Sequence, residues 1–194
     1  MSQLSYLLSS DYHRWYGHGK RDKILMPIRF ITLDRLNYCL WFRIGNSLYG
    51  KRGIWKVLYR IVSMIHTHNK HRLGIQIKLG TDIGAGVRFP HYSGIVLAMC
   101  KIGKNCTIHQ NVTIGRTFGE NEGCPTIGDN VVIFANSTLV GNIKIGNNVI
   151  IGANSVVIKD IPDNSVVVGN PARIISNNTE RVINNRWKTY FYGY

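Results

Sequence analysis

The sequence predicts a mainly β fold, a solenoid of short strands preceded by an α-helical region, and three observations predict it. Large aliphatic residues recur every sixth position from Ile102 through Ile108 to Ile114, and again from Ile127 through Ile133, Leu139, Ile145 and Ile151 to Val157. A helix wants apolar residues three and four apart and a strand wants alternation, so a period of six fits neither and points instead to short strands joined by tight turns, three to a triangular coil. Small residues mark the turns: Gly103, Gly115, Gly128, Gly146 and Gly152 each follow an anchor. Upstream of residue 75 the apolar spacing becomes helical.

Residues 1–74 read as a basic, aromatic, α-helical region. Amphipathic helices are predicted over 24–49 and 54–65, broken around Gly50 to Gly53, with Leu33, Leu36, Leu40 and Ile44 forming one stripe and Trp55, Leu58 and Val62 another. Thirteen Lys or Arg face only Asp11, Asp22 and Asp34 in this region. Trp41, Phe42, Trp55 and Tyr59 interleave with Arg35, Arg43, Lys51, Arg52, Lys56 and Arg60. That pattern suits packing against the protein's own core or a sister subunit, and also suits peripheral contact with an anionic membrane surface. The stretch HTHNKHR (66–72) has no companion acids or cysteines to make a metal site and reads as a solvated basic linker. His13 and His18 lie in the same N-terminal region.

The coils are predicted over residues 75–175. Ile77, Ile83, Phe89 and Ile95 keep the interval of six, with one extra residue before Ile102. Each anchor points inward and stacks on its counterpart in the next coil, so a chain with little helix there still buries a continuous core, at about 0.8 kcal/mol per buried CH₂. Asn105, Asn130, Asn147 and Asn148 stand at turn positions, where Asn tolerates left-handed backbone angles. Between Ile114 and Ile127 the segment GRTFGENEGCPT has no inward anchor, which predicts a loop protruding at about 116–126. Residues 176–194 form a C-terminal tail ending in the aromatic, basic NNRWKTYFYGY.

A net charge of +14 directs attention to anionic partners. No helix-turn-helix, zinc-finger or RNA-binding signature accompanies it, so nucleic acid is not expected. Cys39, Cys100, Cys106 and Cys124 show no metal-ligand spacing, and no metal is expected. No apolar run reaches the roughly 18–20 residues of a spanning helix. With no cleavable signal pattern, the expected location is the cytoplasm, where the inner face of the cell membrane would be the surface available for peripheral contact.

On these repeats the chain resembles the left-handed parallel β-helix acyltransferases. VVIKDIPDNSVVVGNPARII (156–175) is similar to the end of that domain in serine acetyltransferases and in sugar O-acetyltransferases of surface-polysaccharide pathways. The resemblance implies a homotrimer with acetyl-CoA bound in grooves between neighbouring β-helices. His91, in FPHYSGIVL, resembles the family's general base in DHATGIVV; an imidazole with a pKa near 6.5 can take the proton of a hydroxyl as it attacks a thioester. Gln76 occupies the position where serine-specific relatives carry an aspartate that orients the base, and Asp82 is the other candidate partner. Ala135 and Ala153 match positions lining the pantetheine channel, and Lys159 and Arg173 match positions near the CoA phosphates.

Departures from the pattern concern the acceptor. Pro90 replaces an acid, and Gly123 with Cys124 replaces an Arg-His pair that clamps the amino acid in serine-specific relatives; the form CPTIG resembles the colanic-acid type. His109, Arg116 and Cys124 are candidates to border the acceptor. The function expected on this reading is acetyl transfer from acetyl-CoA to a sugar hydroxyl in capsule, O-antigen or exopolysaccharide synthesis. Serine O-acetyltransfer in cysteine biosynthesis is the alternative, and a non-catalytic trimeric scaffold the second.

Overall fold

The computed structural model describes residues 2–182 apart from His18, Glu120 and Asn121, so His18 and the NNRWKTYFYGY tail lie outside the described residues. Four helices come first: α1 Gln3–Tyr16, α2 Lys20–Thr32, α3 Asp34–Leu48 and α4 Ile54–Leu73. The single helix expected over 24–49 is two, because Leu33 is extended (φ −101°, ψ 116°) and the Asn37 amide caps α2 by donating to the Phe30 carbonyl at 3.2 Å. Hydrophobic spacing does not predict α1, because Asp11 and Arg14 are among the residues it buries. Nor is 66–72 a linker: α4 runs on to Leu73, and its inward stripe is Val62, His66, Asn69 and Leu73. Two polar members hide that stripe from an apolar count. His66 Nε2 meets the Ile77 carbonyl at 3.0 Å, and the Asn69 amide donates to Asn37 Oδ1 at 3.0 Å.

A buried ion pair fastens the helices to the coils. The Asp11 carboxylate accepts from Arg43 Nε at 2.8 Å and from the Gly86 and Val87 N–H groups at 2.9 and 3.0 Å. Arg43 donates onward to the Ile83 and Gly84 carbonyls. Arg14 donates to the Gly86 and Asn105 carbonyls and to Thr107 Oγ1. Arg14 and Arg43 are therefore buried, and neither is available to an anionic surface. Of the stripe Trp55, Leu58 and Val62, only Val62 packs inward. No helix of the described residues is long and apolar enough to cross a membrane.

The rest is a left-handed parallel β-helix. Its coils run β1 Ile75–Ile77, β2 Asp82–Ile83; β3 Ile95–Leu97, β4 Lys101–Ile102, β5 Thr107–Ile108; β6 Thr113–Gly115, β7 Thr126–Ile127, β8 Val132–Ile133; β9 Thr138–Val140, β10 Lys144–Ile145, β11 Ile150–Ile151; β12 Val156–Val157, β13 Val166–Val168. Stacking makes three parallel faces. The first holds β1, β3, β6, β9 and β12; the second β2, β4, β7 and β10; the third β5, β8, β11 and β13, with β14 Arg173–Ser176 closing it antiparallel to β13. A short helix, α5 Thr179–Val182, follows. Ile77, Leu97, Ile114, Leu139 and Val157 stack behind the first face, and all are buried in one core.

That register corrects one anchor. Leu97, not Ile95, pairs with Ile77 and Ile114, so the chain takes eight residues from Phe89 to Leu97 and five from there to Ile102. The expansion lies at the corner 90–94, not immediately before Ile102. The protruding loop is present, and its stem is the antiparallel bridge Thr117–Gly123.

Corner chemistry differs from the expectation in detail. Asn105, Asn130 and Asn148 are left-handed as predicted, and Asn111, Asn136, Asn154 and Asn164 join them, whereas Asn147 does not. Instead the Asn147 side chain accepts from the Asp129 N–H at 2.8 Å. The left-handed asparagines form a ladder, with Asn105 donating to Asn130 at 3.1 Å, Asn130 to Asn148 at 2.9 Å and Asn148 to Asn164 at 2.9 Å.

Candidate active site

Faces meet at corners, and the corner between the third and first faces collects chemistry. The chain passes it at Pro90–Gly94, His109–Asn111, Phe134–Asn136 and Gly152–Asn154, one level per coil. Only the first passage is expanded, so His91 stands out from the stack and is exposed. Its ring lies 6.2 Å from that of His109, centroid to centroid. His109 in turn stacks on Phe134 at 4.9 Å and 25°. Burial, with the charges of His91 and Arg88 nearby, pushes the His109 imidazole down to about 4, so this ring is neutral at pH 7. Two histidines of different exposure thus share one corner, one accessible to take a proton and one held uncharged.

Sequence reasoning passed over Gln110. Its Oε1 is buried and has no hydrogen-bond partner among the described residues. Leaving such a carbonyl unpaired costs about 1–3 kcal/mol, so the position calls for an explanation. The only signal in the sequence was its place beside His109. Ala135 and Ala153 follow in the same column, joined where the Asn154 N–H donates to the Ala135 carbonyl at 3.0 Å. Each of these two positions presents only a methyl group.

The opposite corner, between the first and second faces, holds another group. Arg116 and Cys124 flank the protruding loop, and Arg116 pairs with Glu122 at 2.5 Å. Lys159 follows β12 at the same corner, and Arg173 opens β14; together they line a pocket of about 180 Å³ with Val157, Ile161, Pro171 and Ala172. Within one chain, the first face separates His91 and His109 from Arg116, Cys124 and Lys159.

Neither candidate partner of His91 hydrogen-bonds to it among the described residues. Gln76 is the exposed centre of β1 on the first face, and Asp82 lies on the second face, in a groove with Arg43, Asn46 and Lys104. Buried thiols are excluded as nucleophiles: burial pushes Cys100 and Cys106 up to about 12. Among the described residues no cluster of His, Cys, Asp and Glu could hold a metal ion.

Residues 124–159 match the bacterial transferase hexapeptide family, six repeats. Over these residues the coils carry the repeat that this family model describes. The serine acetyltransferase of Staphylococcus xylosus is 42% identical over 142 residues, 72% of this chain and 63% of that protein, and the serine acetyltransferase of Staphylococcus aureus strain Mu50 is 42% identical over 72% of this chain and 64% of its own. The chain therefore spans somewhat under two thirds of these relatives. Among solved structures, Neisseria gonorrhoeae serine acetyltransferase superposes with a TM-score of 0.72 at 28% identity, covering 90% of this chain and 67% of that one. The soybean serine acetyltransferase apoenzyme gives 0.69 at 29% identity, covering 89% and 69%.

These relatives overturn the sugar acceptor expected from the sequence. Hexapeptide-repeat transferases as similar as 42% over most of the chain carry the name serine acetyltransferase, and the colanic-acid branch and polysaccharide synthesis have no support. The expectation rested on absences: Pro90, Gly123 and Cys124 replace clamping side chains. A missing clamp removes one way of holding an amino acid without supplying groups that recognise a sugar.

Proposed function

We propose that this protein is an acetyl-CoA-dependent serine O-acetyltransferase. The observation that carries the reading is the 42% identity to serine acetyltransferases over 72% of the chain. It is supported by a Neisseria gonorrhoeae serine acetyltransferase solved in complex with serine, which superposes at a TM-score of 0.71 and 28% identity.

The corner supplies the base the reaction needs. His91 takes the serine hydroxyl proton as Oγ attacks the thioester carbonyl carbon; the C–S bond then breaks, and the imidazolium returns a proton to the departing sulfur. O-acetylserine and CoA are the products. Lys159 and Arg173 provide cations for the CoA phosphates, and the Ala135 and Ala153 column leaves the backbone open to the pantetheine arm. Because these groups divide between two corners of one β-helix, a complete site is best formed in a homotrimer, where one chain's His91 corner meets a neighbour's opposite corner.

Thiol release from acetyl-CoA with and without L-serine tests the proposal. Serine-dependent release is expected, and His91→Ala is expected to lower kcat by about 10²–10⁴ with the melting temperature unchanged. Release that does not respond to serine ends this reading, and near-wild-type turnover by His91→Ala ends the assignment of the base.

A further inference from the structure

Gln110 presents a carbonyl oxygen that is buried, unpaired among the described residues, and placed at the corner beside His91. We infer that Gln110 Oε1 accepts the amide N–H of the pantetheine arm nearest the thioester, fixing the reacting carbon in register with His91. This inference rests on the proposed use of acetyl-CoA.

Three observations lead there. The first is chemical: an acceptor without a donor among the described residues can take an N–H or O–H brought by a ligand, and the thioester end of acetyl-CoA carries an amide N–H. The second is positional. His91 occupies the first passage of the corner, Gln110 the second and Ala135 the third, where the Asn136 N–H donates to the main-chain carbonyl of Gln110 at 3.1 Å and ties the two levels together. Successive levels of a β-stack lie about 4.8 Å apart, and that is also about the span from a thioester carbon across its sulfur and two methylenes to the amide nitrogen. A pantetheine arm laid along the column with its thioester at His91 brings its first N–H to the level of Gln110. The third is the immediate surroundings. His109, the neighbour of Gln110 in the chain, is stacked on Phe134 and held neutral, and the small side chains of Ala135 and Ala153 continue the track.

The serine ammonium is the other donor that chemistry allows, and kinetics separate the two. Gln110→Ala is expected to raise KM for acetyl-CoA and lower kcat, for a combined loss of about tenfold in kcat/KM, while KM for serine stays within twofold. Gln110→Glu keeps an acceptor at the same reach and is expected to recover most of the loss. A purely structural role would not be restored by Gln110→Glu and would lower the melting temperature, which is measured in parallel. A pair of small donors gives the sharper reading: S-acetyl-N-acetylcysteamine carries the N–H, and its oxygen ester S-acetyl-2-acetoxyethanethiol lacks it. The wild-type protein is expected to prefer the amide about tenfold, and Gln110→Ala to use both equally. A rise in serine KM alone, or an unchanged amide-to-ester ratio in Gln110→Ala, overturns the inference. If the wild-type protein releases no thiol in response to serine, the proposed function has failed instead, a result distinguishable from either.

Discussion

His109 shows how a single side chain is set by its surroundings. Its imidazole is stacked on Phe134 and shifted down to about 4, mainly by burial. An unfolded histidine titrates near 6.5, so between pH 6.5 and about 4 the unfolded chain binds a proton that the folded one refuses. Stability therefore falls as pH drops through that window, and His66, also lowered by burial, adds in the same direction. Urea midpoints at pH 7 and 4.5 are expected to differ, and His109→Gln is expected to shrink the difference; an unchanged slope would mean that other groups carry it. The same residue was legible as a corner side chain in the sequence, whereas its contact with His91 was not. That contact depends on the expansion at 90–94, and the expansion is visible only once Leu97 is seen to pair with Ile77 and Ile114.

At the scale of elements, the coils stack closely only where side chains are absent. A Cβ on Gly103 would come within 2.5 Å of the Gly128 carbonyl oxygen, and one on Gly128 within 2.7 Å of the Gly146 carbonyl oxygen. Backbone on the neighbouring level cannot swing aside as a flexible side chain does. Gly128→Ala is expected to cost about 1–3 kcal/mol of unfolding free energy in a denaturant titration, without loss of the β signature in circular dichroism. The helices rely on a different device. Asp11 and Arg43 are both buried, and removing the carboxylate strands a guanidinium together with the Gly86 and Val87 N–H groups. Asp11→Ala is expected to destabilise by about 3–5 kcal/mol, with the added amide exchange concentrated in α1, α3 and residues 83–87. The pairing of the two was not legible in the sequence, because a charge inside a helix normally signals a solvated face.

For the whole molecule, the separation of the two corners is the main consequence. If the site spans two chains, His91→Ala and the double variant Lys159→Glu/Arg173→Glu are each expected to be nearly inactive alone, yet to regain activity when coexpressed in mixed trimers. Recovery no greater than the sum of the two would place the whole site in one chain. Light scattering should give three times the 22.0 kDa chain mass.

The period of six, the small residues at the turns and the protruding loop come from local rules, and the sequence determined them unaided, because an inward anchor and a tight turn each need only a few neighbouring residues. His91, proposed as the base, was picked out by resemblance alone. Tertiary structure alone decided which residues become neighbours across coils: the level of Leu97, the side-chain carbonyl of Gln110 left unpaired among the described residues, the buried Asp11–Arg43 pair and the two corners on which the candidate site is divided. Those relations depend on stacking between segments separated by a whole turn of the solenoid, and a periodic sequence specifies each coil far more tightly than it specifies the register of one coil on the next.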